Sequence, residues 1–340
     1  MAFIYQDNRE IRIALPSKGR LSENTLDLLE KSGFAVKKSN QRQYRATIPS
    51  LPGVEVLFQR AGDIAVSVRD GIVDFGITGL DIVSEVQDQD ENILVMFDAL
   101  GYGYCKLCAI VPESADQVNS MKDVLNLVQS KQDALRVATK FPKLTQQFFE
   151  ENGFTNVNYI LAEGALEIAP LIGYADMITD LVSSGLTLQD NRLKVLGDGV
   201  ILESQACLIA NRENLVASPQ VMEVARRLLE FIVAFKRAEN NVAVFANIRG
   251  ESPEEVADLI LSKKVIRGLQ GPTISQVITH KGEKWYAVNL IIKKAELAEG
   301  INELRSIGGS GVVVTPVNYI FEEEPEEYTR LLAELDVENG

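Results

Sequence analysis

The stretch IRIALPSKGRLSENTLDLLEKSGF, residues 11–34, decides the fold class because it contains a complete strand–loop–helix unit. Its opening IRIALP is an apolar run that is typical of a buried strand. The segment that follows carries buried-type side chains at the spacing of one helix face: Leu21, Thr25, Leu28 and Leu29. Gly33 suits the left-handed position that ends many helices. The unit therefore predicts the repeating element of an α/β protein.

The same alternation of strand and helix continues along much of the chain. The later segments with strand patterns are 54–59, 73–79, 105–111, 134–139, 158–162, 176–182 and 205–211. The later segments with helical patterns are 61–71, 121–130, 141–154, 165–175 and 219–238. Strands that alternate with helices in this way predict a mainly parallel sheet covered by helices.

The rhythm changes after residue 240. The segments become, in order, a strand at 242–247, a helix at 252–263, strands at 273–279 and 285–292, a helix at 295–307 and a strand at 311–317. This βαββαβ order is the ferredoxin-like plan. It is common in small regulatory domains that bind amino acids, so it predicts a separate C-terminal domain.

Length and composition describe an ordinary globular protein of more than one domain. The chain has 340 residues, of which 46% are hydrophobic and 24% charged. It contains no apolar run of about 18 residues, and its N-terminus lacks the basic and apolar parts of a secretory signal. Its three cysteines cannot build a disulfide framework. We therefore expect a cytoplasmic protein, or a plastid one if the source is a plant or an alga.

Charge and histidine content limit the chemistry. The net charge of −14 argues against broad nucleic-acid binding, while residues 1–70 carry eleven Lys or Arg against eight Asp or Glu. This locally basic segment fits small anionic ligands at a defined site, and equally fits scattered solvated charges. His280 is the single histidine, and its position at a predicted turn favours a surface residue. A Ser–His or Cys–His nucleophile and a histidine-rich metal site are therefore not indicated.

The stretch DMITDLVSSGLTL, residues 176–188, has the pattern of a strand that runs into an anion-binding loop. Its hydroxyls and Gly185 can direct several donors at one phosphate. On one strand Asp176 and Asp180 lie roughly 13 Å apart, so only Asp180 is near the loop. A carboxylate there can accept hydrogen bonds from ribose hydroxyls or hold a ligand's Mg²⁺. A helix cap made by Ser184 or Thr187 is the alternative.

The longer stretch EIAPLIGYADMITDLVSSGLTL, residues 167–188, resembles the signature of the ATP phosphoribosyltransferase family. The matching positions are Glu167, Gly173, Ala175, Ile178, Asp180, Leu181, Ser184, Gly185, Thr187 and Leu188. In that family the segment binds phosphoribosyl pyrophosphate (PRPP), with the loop on its 5′-phosphate and the acid on its ribose. The resemblance therefore implies a PRPP site made of Glu167, Asp180, Ser183, Ser184, Gly185, Leu186, Thr187 and Leu188.

Further segments are similar to the same family. ALPSKGRL, residues 14–21, matches its Lys-Gly-Arg motif, and residues 58–81 match two more motifs, with Ala65 where proline is usual. The resemblance implies an ATP and pyrophosphate site made of Lys18, Gly19, Arg20, Arg60, Thr78 and Gly79. The resemblance to the family covers essentially residues 10–320.

The C-terminal region resembles the regulatory domain of the long, hexameric form of this family, which binds histidine as feedback inhibitor. The similarity lies in GLQGPTIS, residues 268–275, and LRSIGGSGVVVTPV, residues 304–317. The implied histidine pocket consists of Asn247, Leu269, Gly271, Thr273 and Gly311. Asn247 replaces an acid that some members carry.

The resemblance implies a fold of two α/β lobes, similar to periplasmic binding proteins, followed by the ferredoxin-like domain. The first catalytic domain would comprise residues 1–104 and 195–240, the second, with the PRPP loop, residues 105–194, and the regulatory domain residues 241–340. The implied assembly is a homo-hexamer or dimer, and the implied partners are ATP, PRPP and histidine, with no nucleic acid and no membrane.

The implied reaction is attack of the adenine N1 of ATP on C1 of PRPP, with release of pyrophosphate, as the first step of histidine biosynthesis. Mg²⁺ would be carried by the substrate, and no residue is nominated as acid or base. A non-catalytic solute-binding or effector-sensing protein with the same two lobes is the alternative. A nicotinamide dehydrogenase is weaker, because no glycine fingerprint lies between strand and helix. The Cys-x-x-Cys of Cys105 and Cys108 lies on a predicted strand and suggests core packing.

Overall fold

The computed structural model describes residues 10–38, 40, 43–87, 92–131, 133–162, 164, 166–183, 185–269, 271–279 and 283–335. The predicted loop residue Ser184 and the single histidine His280 lie outside these ranges. Within them, no helix combines the length and the apolar character needed to cross a bilayer.

The secondary structure follows the predicted alternation. The strands are β1 Ile11–Pro16, β2 Arg45–Thr47, β3 Val54–Gln59, β4 Phe75–Gly79, β5 Ile93–Phe97, β6 Cys105–Pro112, β7 Leu135–Thr139, β8 Val157–Leu161, β9 Met177–Val182, β10 Leu193–Ser204, β11 Ala206–Asn211, β12 Asn241–Arg249, β13 Thr273–Val277, β14 Trp285–Lys293 and β15 Ser310–Pro316. The helices are α1 Gly19–Lys31, α2 Ala61–Arg69, α3 Leu80–Val86, α4 Met121–Lys131, α5 Pro142–Glu151, α6 Leu186–Asp190, α7 Arg212–Ala217, α8 Pro219–Glu239, α9 Pro253–Leu261, α10 Leu297–Ser306 and α11 Glu326–Glu334.

The first sheet has the strand order β2-β3-β1-β4-β11-β5, and we call it, with its helices, the first lobe. β1 runs parallel to both β3 and β4, while β11 runs antiparallel to β4 and β5. Ala14 of β1 and Ile209 of β11 are buried together with Ile64 and Val68 of α2. Because β1, β3 and β4 are parallel, their carboxyl ends meet at one edge of the sheet.

The second sheet has the order β10-β6-β9-β7-β8 and forms the second lobe. β7 runs parallel to β8 and β9, and the antiparallel strands β6 and β10 complete it. Val137, Phe149 and Met177 belong to the buried core that joins this sheet to α5. The carboxyl ends of β7, β8 and β9 therefore also share one edge.

The third sheet has the order β13-β14-β12-β15, with every neighbouring pair antiparallel. Val244 and Ile248 of β12 pack with Val256 and Ile260 of α9 and with Leu304 of α10 on one face. Strand order and helix placement are those of the ferredoxin-like plan. The predicted fold class, a two-lobed α/β core and a βαββαβ domain, is confirmed.

The chain divides into two compact units. Both lobes lie in the first unit, except for Lys31–Gly33, and the segment from Arg330 onward also belongs to it. The second unit comprises Lys31–Gly33 and Arg226–Thr329 and contains the third sheet. Leu331 and Leu332 of the C-terminal segment are buried. The second half of α11, from Arg330, is therefore a packed part of the first unit, whereas its first half, up to Thr329, belongs to the second.

One prediction for the second lobe is wrong, and one strand was not predicted. The expected helix at 165–175 is a single 3₁₀ turn, Leu166–Ile168, because Pro170 lacks the N–H that a helix interior needs and Gly173 adopts a φ of +72°. The sequence analysis assigned no element to residues 193–204, which form the long strand β10, and register shifts between Val195 and Val200 accommodate its glycines.

The pairing of β10 with β6 affects the proposed domain boundary. β10 belongs to the second sheet up to Ser204, and β11 belongs to the first sheet from Ala206. The chain therefore returns to the first sheet at Gln205. We accordingly move the proposed boundary from residue 195 to residue 205.

Candidate active site

The carboxyl edge of the first sheet gathers the segments that carry the predicted ATP and pyrophosphate residues. β1 and β3 are parallel with Pro16 opposite Gln59, and the Ser17 N–H donates to the Gln59 carbonyl at 2.8 Å. The turn that carries Lys18 therefore lies beside Arg60, which directly follows β3. β4 pairs with β1 on the other side and ends at Gly79.

Lys18, Arg20 and Arg60 are exposed at this edge. Among the described residues no carboxylate forms an ion pair with them, in contrast to Arg45, which pairs with Glu55 at the amino end of the sheet. Gly19 adopts a φ of +72°, a conformation that favours glycine, and so allows the tight turn between the two cations. The edge thus presents positive charge without an internal counter-ion.

Thr78 and Gly79 shape the base of this edge. The Thr78 side chain is fully buried, and its hydroxyl donates to the Ala61 carbonyl at 2.9 Å, which ties the end of β4 to the start of α2. A Cβ at Gly79 would lie 2.4 Å from Oδ1 of Asp81, so the close turn into α3 requires glycine. The Thr78 hydroxyl therefore already donates its hydrogen bond within the protein. The groups of this turn that could contact a ligand are backbone groups.

Asp81, which the sequence prediction did not single out, connects the two lobes. Its buried Oδ1 accepts a hydrogen bond from the Ser204 hydroxyl at 2.5 Å, and that hydroxyl accepts one from the Asp81 N–H at 2.9 Å. Burial raises the pKa of the Asp81 carboxyl, although hydrogen bonds to it from the Ser204 hydroxyl and from the backbone of Asp81 and Ile82 oppose the shift. Ser204 is the last residue of β10, so the pair lies where the chain crosses between the sheets.

The carboxyl edge of the second sheet carries acids and hydroxyls. Asp180 of β9 is half-buried, and its Oδ1 accepts the Leu181 N–H at 2.8 Å. Burial raises the pKa of the Asp180 carboxyl, the Leu181 N–H and the Lys140 ammonium oppose this, and the Glu167 carboxylate adds to it. These charges act on one another because Lys140 directly follows β7, Glu167 lies in the 3₁₀ turn between β8 and β9, and Asp180 lies in β9, one residue beyond the partner of Thr139.

Lys140 is the second residue that the sequence prediction missed. It directly follows β7, is exposed and lies near enough to Asp180 to affect its pKa. The segment ATKFPKL, residues 138–144, was recognisable as similar to the family, but that similarity assigned no role to the lysine. Only the pairing of β7 with β9 brings the two side chains together.

The predicted phosphate loop leaves β9 and enters the short helix α6. Gly185 adopts a φ of +74° at the N-cap position, while Ser183 and Thr187 are exposed. Leu186 is exposed, whereas Leu188 is buried in the core of the lobe. Leu188 therefore anchors the loop from inside, and the loop's backbone and hydroxyls are the groups available to a ligand.

Asp176, at the other end of β9, has a different function. Its carboxylate accepts hydrogen bonds from the Arg136 side chain at 2.8 and 3.2 Å and from the Arg136 N–H at 2.9 Å. This agrees with the strand spacing, which separates Asp176 from Asp180. A cavity of about 590 Å³, lined by Leu135 and Met177 among others, lies at this same end, away from Asp180.

A buried chain of hydroxyls makes the site of the second lobe rigid. Thr145 of α5 lies 3.0 Å from the Thr139 hydroxyl and 2.7 Å from the Thr179 hydroxyl, and the Thr179 hydroxyl donates to Thr139 at 2.6 Å. The three side chains are fully buried. They join the ends of β7 and β9 to the first turn of α5, and so fix the backbone that carries Lys140 and Asp180.

The cysteines do not form a reactive site. Burial raises the pKa of the Cys105 thiol to about 11 and also raises the pKa values of Cys108 and Cys207. Such thiols stay protonated near neutral pH and are poor nucleophiles. Among the residues that the structure covers, no three His, Cys, Asp or Glu side chains cluster as metal ligands.

The predicted histidine residues lie on the third sheet and in the loop before it. Asn247 of β12 pairs with Ser310, and the amide of Asn247 lies 3.7 Å from the position that a Cβ on Gly311 would occupy. Thr273 is opposite Asn289, which is opposite Phe245. Thr273 and Asn247 therefore share the face away from the core, roughly 12 Å apart. Leu269 and Gly271 precede β13, and Gly271 has a φ of +91°.

Comparison with known proteins agrees with this architecture. Residues 60–230 match the family model described as ATP phosphoribosyltransferase, and residues 238–319 match the model of its C-terminal domain. A chloroplastic ATP phosphoribosyltransferase of Arabidopsis thaliana is 42% identical over 96% of this chain and 81% of its own length. The ATP phosphoribosyltransferase of Methanocaldococcus jannaschii is 34% identical over 91% of this chain and 99% of its own length.

A solved structure shares the fold. The ATP phosphoribosyl transferase (HisG:HisZ) complex from Thermotoga maritima aligns with a TM-score of 0.51 and 23% identity, over 66% of this chain and 98% of that one. Since one family model covers half of the chain and relatives above 30% identity span nearly all of it, the chain belongs to the ATP phosphoribosyltransferase family, which catalyses the first step of histidine biosynthesis.

Proposed function

We propose that this chain transfers the phosphoribosyl group of PRPP to N1 of the adenine ring of ATP and releases pyrophosphate. The observation that carries the proposal is the difference between the two sheet edges. The edge of the first lobe presents the cations Lys18, Arg20 and Arg60, which form no ion pair with a described residue, and the edge of the second presents Asp180 and Glu167 beside a glycine loop. PRPP needs both kinds of chemistry, because it joins a pyrophosphate and a 5′-phosphate to a polyhydroxyl ring.

The second lobe is proposed to hold the phosphoribosyl part. Ionised Asp180 and Glu167 would accept hydrogen bonds from the ribose hydroxyls. The loop 183–187 would surround the 5′-phosphate with backbone N–H groups and with the hydroxyls of Ser183 and Thr187. Since this phosphate is remote from the reacting carbon, its binding energy can orient the sugar for attack.

The first lobe is proposed to bind pyrophosphate and ATP. When the bond at C1 of the sugar breaks, positive charge develops on the ring and negative charge on the departing pyrophosphate. Lys18, Arg20 and Arg60 would stabilise that negative charge, and the turn at Thr78 and Gly79 would contribute backbone groups. No protein nucleophile is needed, which fits the protonated, buried thiols.

Magnesium is proposed to enter the site with the substrate pyrophosphate. The described residues contain no cluster of three or more potential ligands, but Asp180 and Glu167 are the hard oxygen donors that Mg²⁺ prefers. These two side chains are therefore the protein groups that could contact the ion. When bound, Mg²⁺ would neutralise part of the charge on the pyrophosphate leaving group.

The third sheet is proposed to bind histidine as feedback inhibitor through Asn247, Gly311, Leu269, Gly271 and Thr273. Inhibition from there would require a less active arrangement of the protein, which we propose to be a state of a homo-hexamer or dimer. We also propose that the protein works in the cytoplasm or in a plastid, the latter because relatives of Arabidopsis thaliana are named chloroplastic.

A pyrophosphate-release assay tests these proposals together. The protein with ATP, PRPP and MgCl₂ should release pyrophosphate, and added histidine should slow the release. The control omits ATP, since hydrolysis of PRPP alone would give a signal without transfer. Tight binding of a solute with no release of pyrophosphate would instead favour the non-catalytic binding protein.

A further inference from the structure

Helix α5 begins without a cap from its own sequence. Its N-cap residue is Phe141, whose side chain cannot accept a hydrogen bond, and its first residue is Pro142, which has no N–H. The next N–H groups, those of Lys143 and Leu144, have no partner within the helix. A helix start of this kind needs an acceptor from elsewhere in the fold.

Glu85, from α3 of the other lobe, supplies that acceptor. Its Oε1 accepts the Lys143 N–H at 2.9 Å and its Oε2 accepts the Leu144 N–H at 3.0 Å. In return, Nζ of Lys143 donates to the Gln87 carbonyl, just after the end of α3. A carboxylate thus meets the positive end of one helix dipole, and an ammonium meets the negative end of the other.

The two helices carry the two halves of the proposed site. α3 starts at the Thr78–Gly79 turn, on the edge that we propose for ATP and pyrophosphate. α5 starts directly after Lys140, and its Thr145 hydroxyl joins the buried chain to Thr139 and Thr179. The contact of Glu85 therefore connects the Thr78–Gly79 turn, proposed to bind ATP and pyrophosphate, to the backbone that carries Lys140 in the proposed PRPP site.

We propose that Glu85 is a positioning residue for phosphoribosyl transfer. By holding the start of α5 against α3, it sets the distance and orientation between the turn at Gly79 and the side chains of Lys140 and Asp180. Each lobe can bind its own substrate without this contact. The attack of ATP on PRPP, however, requires the two bound substrates to be held at the correct distance and orientation. The inference rests on the proposed function and adds to it a residue that touches neither substrate.

Glu85→Ala tests the proposal through a split between binding and turnover. We expect kcat to fall about tenfold, equivalent to about 1.4 kcal/mol, while the Kd for PRPP measured by calorimetry stays within about twofold of wild type. Glu85→Gln keeps an acceptor for one of the two N–H groups but turns an NH₂ donor towards the other, so it should recover only part of the lost rate. A wild-type kcat in Glu85→Ala, or a Kd for PRPP that rises as much as kcat falls, would overturn the proposal.

Asp123→Ala is the matched control. Asp123 also caps a helix with its carboxylate, since it accepts the N–H groups of Asn119 and Ser120 at 3.0 Å, but all three residues belong to the second lobe. Its loss should lower stability without changing kcat by more than about twofold. An equal fall of kcat in Asp123→Ala and Glu85→Ala would show that only helix stability matters and would refute the proposal.

Lys143→Met supplies a second variant in case Glu85→Ala does not fold. It removes only the contact of the ammonium with the Gln87 carbonyl, and we expect kcat to fall about threefold with an unchanged Kd for PRPP. A wild-type kcat in the folded Lys143→Met variant would overturn the proposal. Absence of pyrophosphate release by the wild-type chain would refute the proposed function itself, and is thereby distinguishable from failure of the positioning role alone.

Discussion

The carboxyl edges of the two sheets in the first unit have the same geometry and opposite chemistry. In both, parallel strands end side by side, so residues far apart in sequence become neighbours. The exposed cations of the first edge form no ion pair with a carboxylate among the described residues, whereas the second edge carries Glu167 and the half-buried Asp180, whose ionisation is resisted by burial. The fold therefore brings the strand ends together, while the side chains at those ends determine the charge that each edge presents.

The largest effect is expected from a cation of the first edge. Arg60→Ala should lower kcat/KM about a hundredfold, because a charge aimed at the departing pyrophosphate acts mainly in the transition state. Pyrophosphate release under steady-state conditions measures it. Arg45→Ala is the control, since Arg45 is exposed on the same sheet but pairs with Glu55 at the amino end. Equal losses in both variants would mean that the positive charge of the lobe matters and its position does not.

Asp180→Asn probes the second edge. Loss of a charged acceptor for ribose hydroxyls should raise the KM for PRPP about 10- to 100-fold and leave the KM for ATP unchanged. Asp176→Asn, at the far end of β9, should reduce stability by weakening the contact with Arg136 but leave both KM values near wild type. A KM for ATP that rises as much as the KM for PRPP would contradict the proposal that the two edges bind different substrates.

The pH dependence of PRPP binding tests the proposed role of Asp180. Burial raises its pKa, so protonation begins at a higher pH than for an ordinary aspartate. Since the ionised form is the proposed acceptor, affinity for PRPP should decline as pH falls through this raised pKa. The KM for PRPP of Asp180→Asn, which cannot ionise, should lack this dependence.

Asn247→Ala tests whether the third sheet is separate from both edges. We expect the inhibition constant for histidine to rise about tenfold, from loss of a polar contact in the proposed pocket, with both substrate KM values unchanged. Asn302→Ala, on the exposed side of α10, is the control. Point variants are preferred to deletion of residues 241–340, because a deletion would also remove the buried Leu331 and Leu332 from the first unit.

Thr187→Val should have a smaller effect on the second edge. Removal of one neutral hydroxyl donor should raise the KM for PRPP about fivefold and change the KM for ATP by less than about twofold. Thr155→Val, an exposed threonine elsewhere in the same lobe, should change neither constant. An unchanged KM for PRPP in Thr187→Val would remove this hydroxyl from the phosphate site.

Asp81→Asn should give the smallest effect, on stability. Burial raises the pKa of Asp81, so its contribution to stability is full below the pKa of the unfolded chain and is lost as pH rises through the folded value. The asparagine can still accept the Ser204 hydroxyl and carries no charge. We expect its Tm to exceed that of wild type by about 2–3 °C at pH 8 and to depend less on pH. A lower Tm at pH 8 would show that the ionised pair is favourable.

Local patterns in the sequence were sufficient for the strands and helices whose periodicity is uninterrupted. The unit 11–34 and the βαββαβ order after residue 240 were predicted from spacing alone, because one buried face imposes a regular pattern on its own segment. The pattern was insufficient where glycine or proline interrupts it. The strand β10, which contains Gly197 and Gly199, was not predicted, and the expected helix at 165–175 contains Pro170.

For the proposed site, the sequence directed attention to Lys18, Arg60 and Asp180 because they stand in recognisable motifs. The contacts between such segments could not be predicted from the sequence. Lys140 approaches Asp180, Ser204 bonds to Asp81 and Glu85 caps α5 only because strand order brings distant segments together. Periodicity reports which face of an element is buried, whereas the partner of a polar group depends on how the sheets and helices pack.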